Sequence, residues 1–147
     1  MTRSFARVIV VNQDGQMLVI CQQHTHVSNY CFPGGKVEPA ETPKAAAVRE
    51  LYEELGIKVA KRHLRHCLTS KFYFGNEAWI GHFYVCAYGG KRPTIMELDK
   101  ISSAAFYHLN DMVSLPCDEP SFIEVARNAE NTISTTQAEI VNVRIFA

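Results

Sequence analysis

The sequence lacks an excess of either charge, a long apolar run and any closely spaced pair of cysteines. Lysine and arginine together number 15, as do aspartate and glutamate, so no overall field draws the chain to DNA, RNA or an anionic membrane. The five cysteines are scattered, which indicates reduced thiols. No apolar stretch approaches the roughly 20 residues that span a bilayer, and no cleavable apolar segment is recognised. We therefore expect a soluble cytoplasmic protein that binds neither a nucleic-acid polymer nor a membrane.

Repeats, linkers and low-complexity tracts are also missing from the 147 residues. This length suits one domain that buries a hydrophobic core. The hydrophobic share of 47% and the charged share of 20% are those of an ordinary globular protein. We therefore predict a single domain over residues 1–147.

Alternating apolar residues and turn signals divide the chain into strands and helices. One hairpin is expected to turn at Asn-Gln-Asp-Gly and another at Gly-Asn-Glu. The predicted strands are 5–11, 17–21, 71–74, 78–88 and 104–108, and the predicted helices are 42–56 and 119–131. The polar segment 22–30 is predicted to be a loop. This order predicts an α/β domain in which a mixed sheet lies between helices.

The end of the sequence alternates between apolar and polar residues from 138 to 146, as a strand does. Residues 132–147 are therefore predicted to add a C-terminal strand. Such a strand pairs within the domain, across a homodimer, or with another protein if the chain is an interaction module.

The helix predicted at 42–56 has the clearest end signals in the chain. Thr42 is a suitable N-cap, and Pro43 suits the first helical position, where a missing N–H costs nothing. Three consecutive alanines favour the helix, and Gly56 is a typical stop.

Three carboxylates share one face of this helix. Glu50, Glu53 and Glu54 stand at positions i, i+3 and i+4, and an apolar cluster lies roughly opposite them. Like charges at this spacing repel, so a divalent cation would stabilise them, and hard oxygen ligands suit Mg²⁺ or Mn²⁺. A solvated glutamate face is the alternative reading of this pattern alone.

The surrounding residues resemble the signature of the Nudix (MutT-like) hydrolase superfamily, G-x5-E-x7-R-E-U-x-E-E-x-G-U, in which U is aliphatic. The match begins at Gly35, includes Glu41 and the stretch that starts at Arg49, and ends at Ile57. It fills residues 35–57 without a departure at any specified position, and the preceding Phe-Pro-Gly also fits the family. The resemblance implies a Nudix-type α/β/α sandwich and an enzyme that cleaves a nucleoside diphosphate-X linkage.

The resemblance also implies roles for individual residues. Glu50, Glu53 and Glu54 are expected to bind Mg²⁺, for which Mn²⁺ is a possible substitute, and the Gly35 carbonyl is expected to offer a further oxygen. Glu53 is in addition the expected activator of the attacking water. Arg49 and Glu41 are expected to pair and to hold the loop against the helix, because a half-buried arginine favours a bidentate carboxylate partner.

Two features depart from the family pattern or match it loosely. Ala40 stands where the family often has glycine, so we expect the loop to be shaped slightly differently there. Many relatives supply another acid just before a later strand, and Glu97 is the candidate here as an extra base or ligand. A solvent-facing acid in a turn is the alternative.

Substrate contacts are less clearly indicated. Lys36 follows the motif glycine, and Tyr73 lies where diadenosine polyphosphate hydrolases tend to place a tyrosine; both are candidate substrate-binding residues, with Glu97 as a third. The 22–30 loop and the 72–79 hairpin are expected to select the nucleotide, although core packing is the usual role of such aromatic residues.

The leading functional interpretation is an Mg²⁺-dependent hydrolase that converts a nucleoside triphosphate into a monophosphate and pyrophosphate. Cleavage of a dinucleoside polyphosphate or a nucleotide sugar is an alternative. A third interpretation, a non-catalytic module that senses a nucleotide, is disfavoured because every glutamate of the motif is present.

Overall fold

A mixed β-sheet of seven strands forms the centre of the computed structural model, which describes residues 3–24, 27–117 and 122–135. The strands are β1 (Arg3–Val11), β2 (Met17–His24), β3 (Val27–Cys31), β4 (Gly34–Lys36), β5 (Arg65–Phe74), β6 (Glu77–Ala87) and β7 (Ile101–Tyr107). The helices are α1 (Pro43–Leu55), α2 (Leu109–Met112) and α3 (Phe122–Thr135), with a 3-10 turn at Lys61–His63. The main strand order is β3-β2-β1-β6-β5, while β4 pairs with β1 and β7 pairs with β2. Because β1 and β6 are parallel and β1 and β2 antiparallel, the sheet is mixed.

The alternation of side chains along β1 creates two hydrophobic cores. Ala6 and Val8 pack on one face of the sheet, in the same core as Leu51 of α1. Phe5 and Ile9 pack on the other face. That second core also contains buried residues of α3, namely Phe122, Val125, Ala126 and Ala129. Helices therefore cover both faces, and the predicted α/β/α sandwich is confirmed.

Helix α1 has the ends that its sequence predicts. The Thr42 hydroxyl oxygen accepts a 3.1 Å hydrogen bond from the Ala45 backbone N–H, and Pro43 opens the helix. Gly56 ends it with φ of 68°, and its N–H donates to the Tyr52 carbonyl oxygen at 2.9 Å. This orientation places the carboxylate-bearing side of α1 beside β4.

The segment predicted as a polar loop at 22–30 contains most of a β-hairpin instead. Strand β2 continues to His24, β3 begins at Val27, and the two pair from Ile20↔Cys31 to His24↔Val27. The loop prediction was wrong because β3 lies at the end of the main strand order, where antiparallel pairing needs no apolar alternation.

Other boundaries differ modestly from the predicted ones. The second long helix is described over Phe122–Thr135, and residues 119–121 of the predicted helix lie outside the described residues. Strand β5 begins several residues before the predicted 71. The predicted strand at 138–146 lies outside the described residues. Within the described ranges, no helix is long and apolar enough to cross a membrane.

Candidate active site

Gly34 of β4 lies so close to the backbone of β1 that a side chain does not fit, and it also contacts the carboxylate-bearing helix. It pairs with Arg7 of β1 and has φ of 151°. A Cβ atom here would lie 2.1 Å from the Ala6 carbonyl oxygen, so only glycine fits. The Gly34 N–H donates a 2.8 Å hydrogen bond to Oε1 of Glu54. The tight turn thus provides a fixed donor for a helix carboxylate.

Gly35 lies directly beneath a second carboxylate. A Cβ atom on Gly35 would lie 2.6 Å from Oε1 and 2.7 Å from Cδ of Glu50. The Glu50 side chain therefore occupies the space that any other residue at position 35 would need. This packing places carboxylate oxygens next to the Gly35 backbone.

Arg49 organises the charges around these two glycines. Its Nε and Nη2 donate to both carboxylate oxygens of Glu41 at 2.9 Å, which is bidentate geometry. Its Nη1 donates to Glu50 at 3.0 Å and to Glu53 at 3.2 Å, and Nη2 also reaches the Lys36 carbonyl oxygen at 3.1 Å. The Arg49 hydrogen bonds lower the pKa of Glu41 to about 2. The predicted Arg49–Glu41 pair is therefore present, and it ties the loop to the helix.

Glu54 is a buried carboxylate, with 4% of its surface exposed. Burial, with a smaller contribution from the charge of Glu50, raises its pKa to about 8 against the opposing effects of the Gly34 hydrogen bond and the Arg7 charge. Burial also raises the pKa of Glu50, although Arg49 opposes this. The site therefore concentrates negative charge in a place where water stabilises it poorly.

The three helix carboxylates contact different partners. Glu54 accepts from Gly34, Glu50 and Glu53 both accept from Arg49, and the Glu53 side chain is 48% exposed. Among residues 3–24, 27–117 and 122–135, no three His, Cys, Asp or Glu side chains converge as a metal cluster. The donor set is nonetheless all oxygen, anionic and packed against a glycine backbone, and this chemistry fits a hard divalent cation.

The segment between β6 and β7 brings a fourth acid near the helix. The N–H groups of Thr94 and Met96 donate to the carbonyl oxygens of Leu55 and Glu54 at 3.1 and 2.9 Å. Glu97 follows directly, 30% exposed at its side chain and 3.7 Å from Lys100 Nζ. It lies close enough to raise the pKa of Glu54. Glu97 therefore begins a turn, accepting at its carbonyl oxygen from the Lys100 N–H, and also influences the charge of the site. Its role as an extra base or ligand stays a prediction.

Ala40 adopts a left-handed backbone conformation, which an alanine side chain disfavours. Its φ is 68°, the left-handed conformation for which the family often uses glycine. The loop therefore contains a left-handed turn at this position in spite of the methyl group. The strain of a left-handed alanine is about 1 kcal/mol.

A cavity of about 360 Å³ opens beside Gly35, on the side of the hairpin formed by β5 and β6. Its walls include Arg7, Lys36, Phe74 and Trp79. The Lys36 ammonium lies 5.8 Å from the centre of a Trp79 ring. The predicted candidate Lys36 thus lines the cavity. Tyr73 does not, since it is 64% exposed and its neighbour Phe74 faces the cavity instead.

Sequence reasoning did not identify Arg7 as part of this site. The residue sits within an otherwise apolar strand, so its position alone was the available signal. A charged side chain in the middle of a central strand is rare unless it has partners, and here Nη1 donates to the Phe32 carbonyl oxygen at 2.8 Å.

The match to a known family covers most of the chain. A family model described as "NUDIX domain" matches residues 1–129, and the chain belongs to this family. A MutT NUDIX hydrolase from Burkholderia pseudomallei has a similar structure, with a TM-score of 0.75, 22% identity, and coverage of 87% of this chain and 98% of that one. At this identity the likeness shows the fold.

Two curated relatives match around the Nudix motif. An RNA pyrophosphohydrolase from Aeromonas hydrophila is 43% identical over 51 residues, which are 35% of this chain and 28% of the relative. An 8-oxo-dGTP diphosphatase from Escherichia coli is also 43% identical over 51 residues, or 33% of this chain and 40% of the relative. Both names are those of phosphoanhydride-cleaving enzymes. The matches span less than half of either relative.

Proposed function

We propose that this protein is an Mg²⁺-dependent pyrophosphohydrolase that cleaves a nucleoside triphosphate into a monophosphate and pyrophosphate. The observation that carries the proposal is the arrangement of three carboxylates on one side of α1. Glu54 accepts from Gly34, Glu50 lies against Gly35, and Glu53 accepts from Arg49. Three carboxylates lie at one junction of helix and loop, and burial raises the pKa of two of them, Glu50 and Glu54. A bound cation would stabilise their negative charge. The names of the matched relatives support the same reaction class.

In this proposal, Glu50, Glu53 and Glu54 hold the cation, with the Gly35 carbonyl as a further donor. A bound divalent ion neutralises the diphosphate charge and lowers the pKa of bound water. Mn²⁺ has the same oxygen preference and is the expected substitute.

The residues of the site then have separate roles in the proposed reaction. Arg49, fixed by Glu41, orients Glu50 and Glu53 towards the same side of α1. Glu53 is the most exposed of the three acids and is best placed to meet a substrate or to take a proton from water. Lys36 at the rim of the cavity offers a cation to a phosphate group. Water adds to one phosphorus, the bridging P–O bond breaks, and the leaving pyrophosphate carries away the bond electrons.

The test is hydrolysis by the purified protein of a panel of nucleoside triphosphates, nucleotide sugars and dinucleoside polyphosphates with Mg²⁺ or Mn²⁺. Released pyrophosphate, phosphate and monophosphates are measured separately. We expect pyrophosphate from triphosphates and a loss of at least about 100-fold in kcat for Glu53→Gln. Glu38→Gln is the matched control, since that carboxylate is 65% exposed and 3.9 Å from Arg49. Turnover by Glu53→Gln near the wild-type rate, or none by the wild type, would contradict the proposal.

A further inference from the structure

The cavity beside Gly35 contains a cation to which the proposed hydrolysis assigns no task. We propose that Arg7 is a specificity-determining residue that binds the acceptor edge of an oxopurine base, such as guanine or hypoxanthine, held in this cavity. The inference rests on the proposed function for the nature of its ligand, a nucleotide, and adds the class of base.

Arg7 is held in a fixed position at the wall of the cavity. It projects from β1 on the same face as Phe5, and its Cζ lies 5.4 Å from the centre of that ring. Its Nη1 donates to the Phe32 carbonyl oxygen at 2.8 Å and lies 3.9 Å from the Cys31 sulfur. These contacts hold the guanidinium in place before any ligand binds, which reduces the entropy lost on binding.

Aromatic rings form the rest of the recess. Trp79 packs edge-on against Phe74, with ring centres 6.5 Å apart, and lies 6.3 Å from Phe5. Phe74 is 38% exposed, so it presents apolar surface to solvent beside the cavity. A base stacked on such a ring gains about 1–3 kcal/mol. A volume of about 360 Å³ accommodates a purine nucleoside.

One side of the cavity lies next to the carboxylates of α1. Gly35 contributes to its wall and at the same time lies against the Glu50 carboxylate. Lys36, the next residue, reaches over Trp79 from the same side. A nucleoside in the cavity would therefore direct its phosphates towards Lys36 and the carboxylates of α1.

The charges in the wall favour acceptors over donors on the base. Arginine and lysine offer only donors, whereas the Glu77 carboxylate in the same wall already accepts from Trp79 Nε1 at 3.0 Å and lies 3.5 Å from Arg3. Guanine and hypoxanthine present two adjacent acceptors, O6 and N7, which match the Nη1 and Nη2 end of the guanidinium, since Nε is buried. Adenine places an amino donor beside N7. Cytosine also carries two adjacent acceptors, O2 and N3, but its single ring offers less surface for stacking on an aromatic side chain. A bidentate contact of this kind discriminates between bases by roughly 5- to 150-fold.

Trp79 is the single tryptophan of the chain, so its fluorescence reports occupancy of the cavity. The experiment titrates the full chain with GMP, IMP, AMP and CMP in EDTA, where turnover plays no part. We expect saturable quenching and dissociation constants for GMP and IMP at least about 5-fold below the constant for AMP. CMP, whose single ring stacks less, reports the contribution of stacking. Binding without hydrolysis separates this inference from the proposed function. A base preference with no turnover would leave the inference intact, and turnover with no preference would overturn it alone.

Substitutions assign the preference to one side chain. Arg7→Lys keeps the charge but loses the two-pronged donor, so the constants for GMP and AMP should come within about twofold of each other. Arg7→Gln, which retains a donor for Phe32, repeats the test if the lysine variant folds poorly. Arg3→Met is the matched control, because Arg3 also lies over Trp79 but is 60% exposed and does not line the cavity; it should keep the preference.

Arg7 also lies near enough to Glu54 to lower its pKa, which is the basis of a purely structural role. A structural role predicts that Arg7→Lys weakens all four nucleotides by the same factor. That result would overturn the inference. So would equal affinity of the wild type for GMP and AMP, or the lack of any saturable change in fluorescence.

Discussion

The Arg49–Glu41 pair joins the loop at residues 37–42 to the carboxylate-bearing face of α1, and Glu41→Gln tests what this ion pair contributes to stability. The substitution keeps the shape of the side chain and removes its charge. The pKa of Glu41 falls from 4.5 to about 2, which corresponds to an upper limit of about 3 kcal/mol at 1.36 kcal/mol per unit. The side chains of Glu41 and Arg49 are 16% and 25% exposed, so solvent screens part of this. We expect Glu41→Gln to lose about 1–2 kcal/mol in the free energy of unfolding at pH 7.

The lowered pKa of Glu41 determines how the stability difference between the wild type and Glu41→Gln should change with pH. The pKa of Glu41 is lower in the folded protein than in the unfolded chain, so its stabilisation is present above pH 4.5 and is lost as the pH falls towards 2. The difference in free energy of unfolding between the wild type and Glu41→Gln should therefore be constant from pH 5 to 7. It should shrink below pH 4.

Urea unfolding in EDTA, followed by circular dichroism at a series of pH values, measures this difference. Glu38→Gln is again the control, since the Glu38 carboxylate is 65% exposed and 3.9 Å from Arg49, and its effect should be close to zero. A Glu41→Gln loss equal to that of Glu38→Gln would refute the reasoning, as would a loss that does not vary with pH.

Three further substitutions test the geometry around the carboxylates. Glu54→Gln should raise the Mg²⁺ concentration that turnover requires, yet stabilise the metal-free protein at pH 8 and not at pH 4.5, because the raised pKa of about 8 means that the folded state loses stability as the pH rises between these values; thermal unfolding in EDTA measures the stability, and equal destabilisation at both pH values would contradict the prediction. Gly35→Ala should displace Glu50, whose Oε1 would lie 2.6 Å from the new Cβ, and lower kcat by more than about 10-fold with circular dichroism unchanged. Ala40→Gly should raise the free energy of unfolding by about 0.5 kcal/mol in urea, because glycine relieves the left-handed strain but loses more entropy on folding; a decrease would show that the turn is not strained.

Local signals made α1 predictable from the sequence. Thr42 caps it, Gly56 stops it, and the spacing of its acids fixes which side chains share a face. These effects depend on residues within one or two turns, so a single sequence contains them. The same holds for the bidentate partner of Arg49, whose place is set by the spacing of the motif.

The parts that sequence reasoning missed depend on contacts between distant segments. The β2–β3 hairpin is polar because β3 lies at the end of the main strand order, and the position of β3 follows from the order of the whole sheet. The role of Arg7 in the site follows from its pairing with Gly34 and its hydrogen bond to Phe32, neither of which has a local sequence signal. Tyr73 and Phe74 differ by one position, and only the strand register decides which of them faces the cavity.

The three acids of α1 occupy three environments, and this difference bears on how they would divide the work. Glu54 is 4% exposed and holds the Gly34 N–H, so its carboxylate is fixed and costly to ionise without a counter-ion. Glu50 is wedged against Gly35, whereas the Glu53 side chain is 48% exposed and is held by a hydrogen bond to Arg49. The buried acid therefore suits a permanent ligand, and the exposed one suits a group that exchanges protons. If this division holds, Glu54→Gln should weaken Mg²⁺ binding in a calorimetric titration more than Glu53→Gln does, while Glu53→Gln should lower kcat more at saturating Mg²⁺. The reverse order of the two variants in either measurement would contradict this assignment of roles to Glu53 and Glu54.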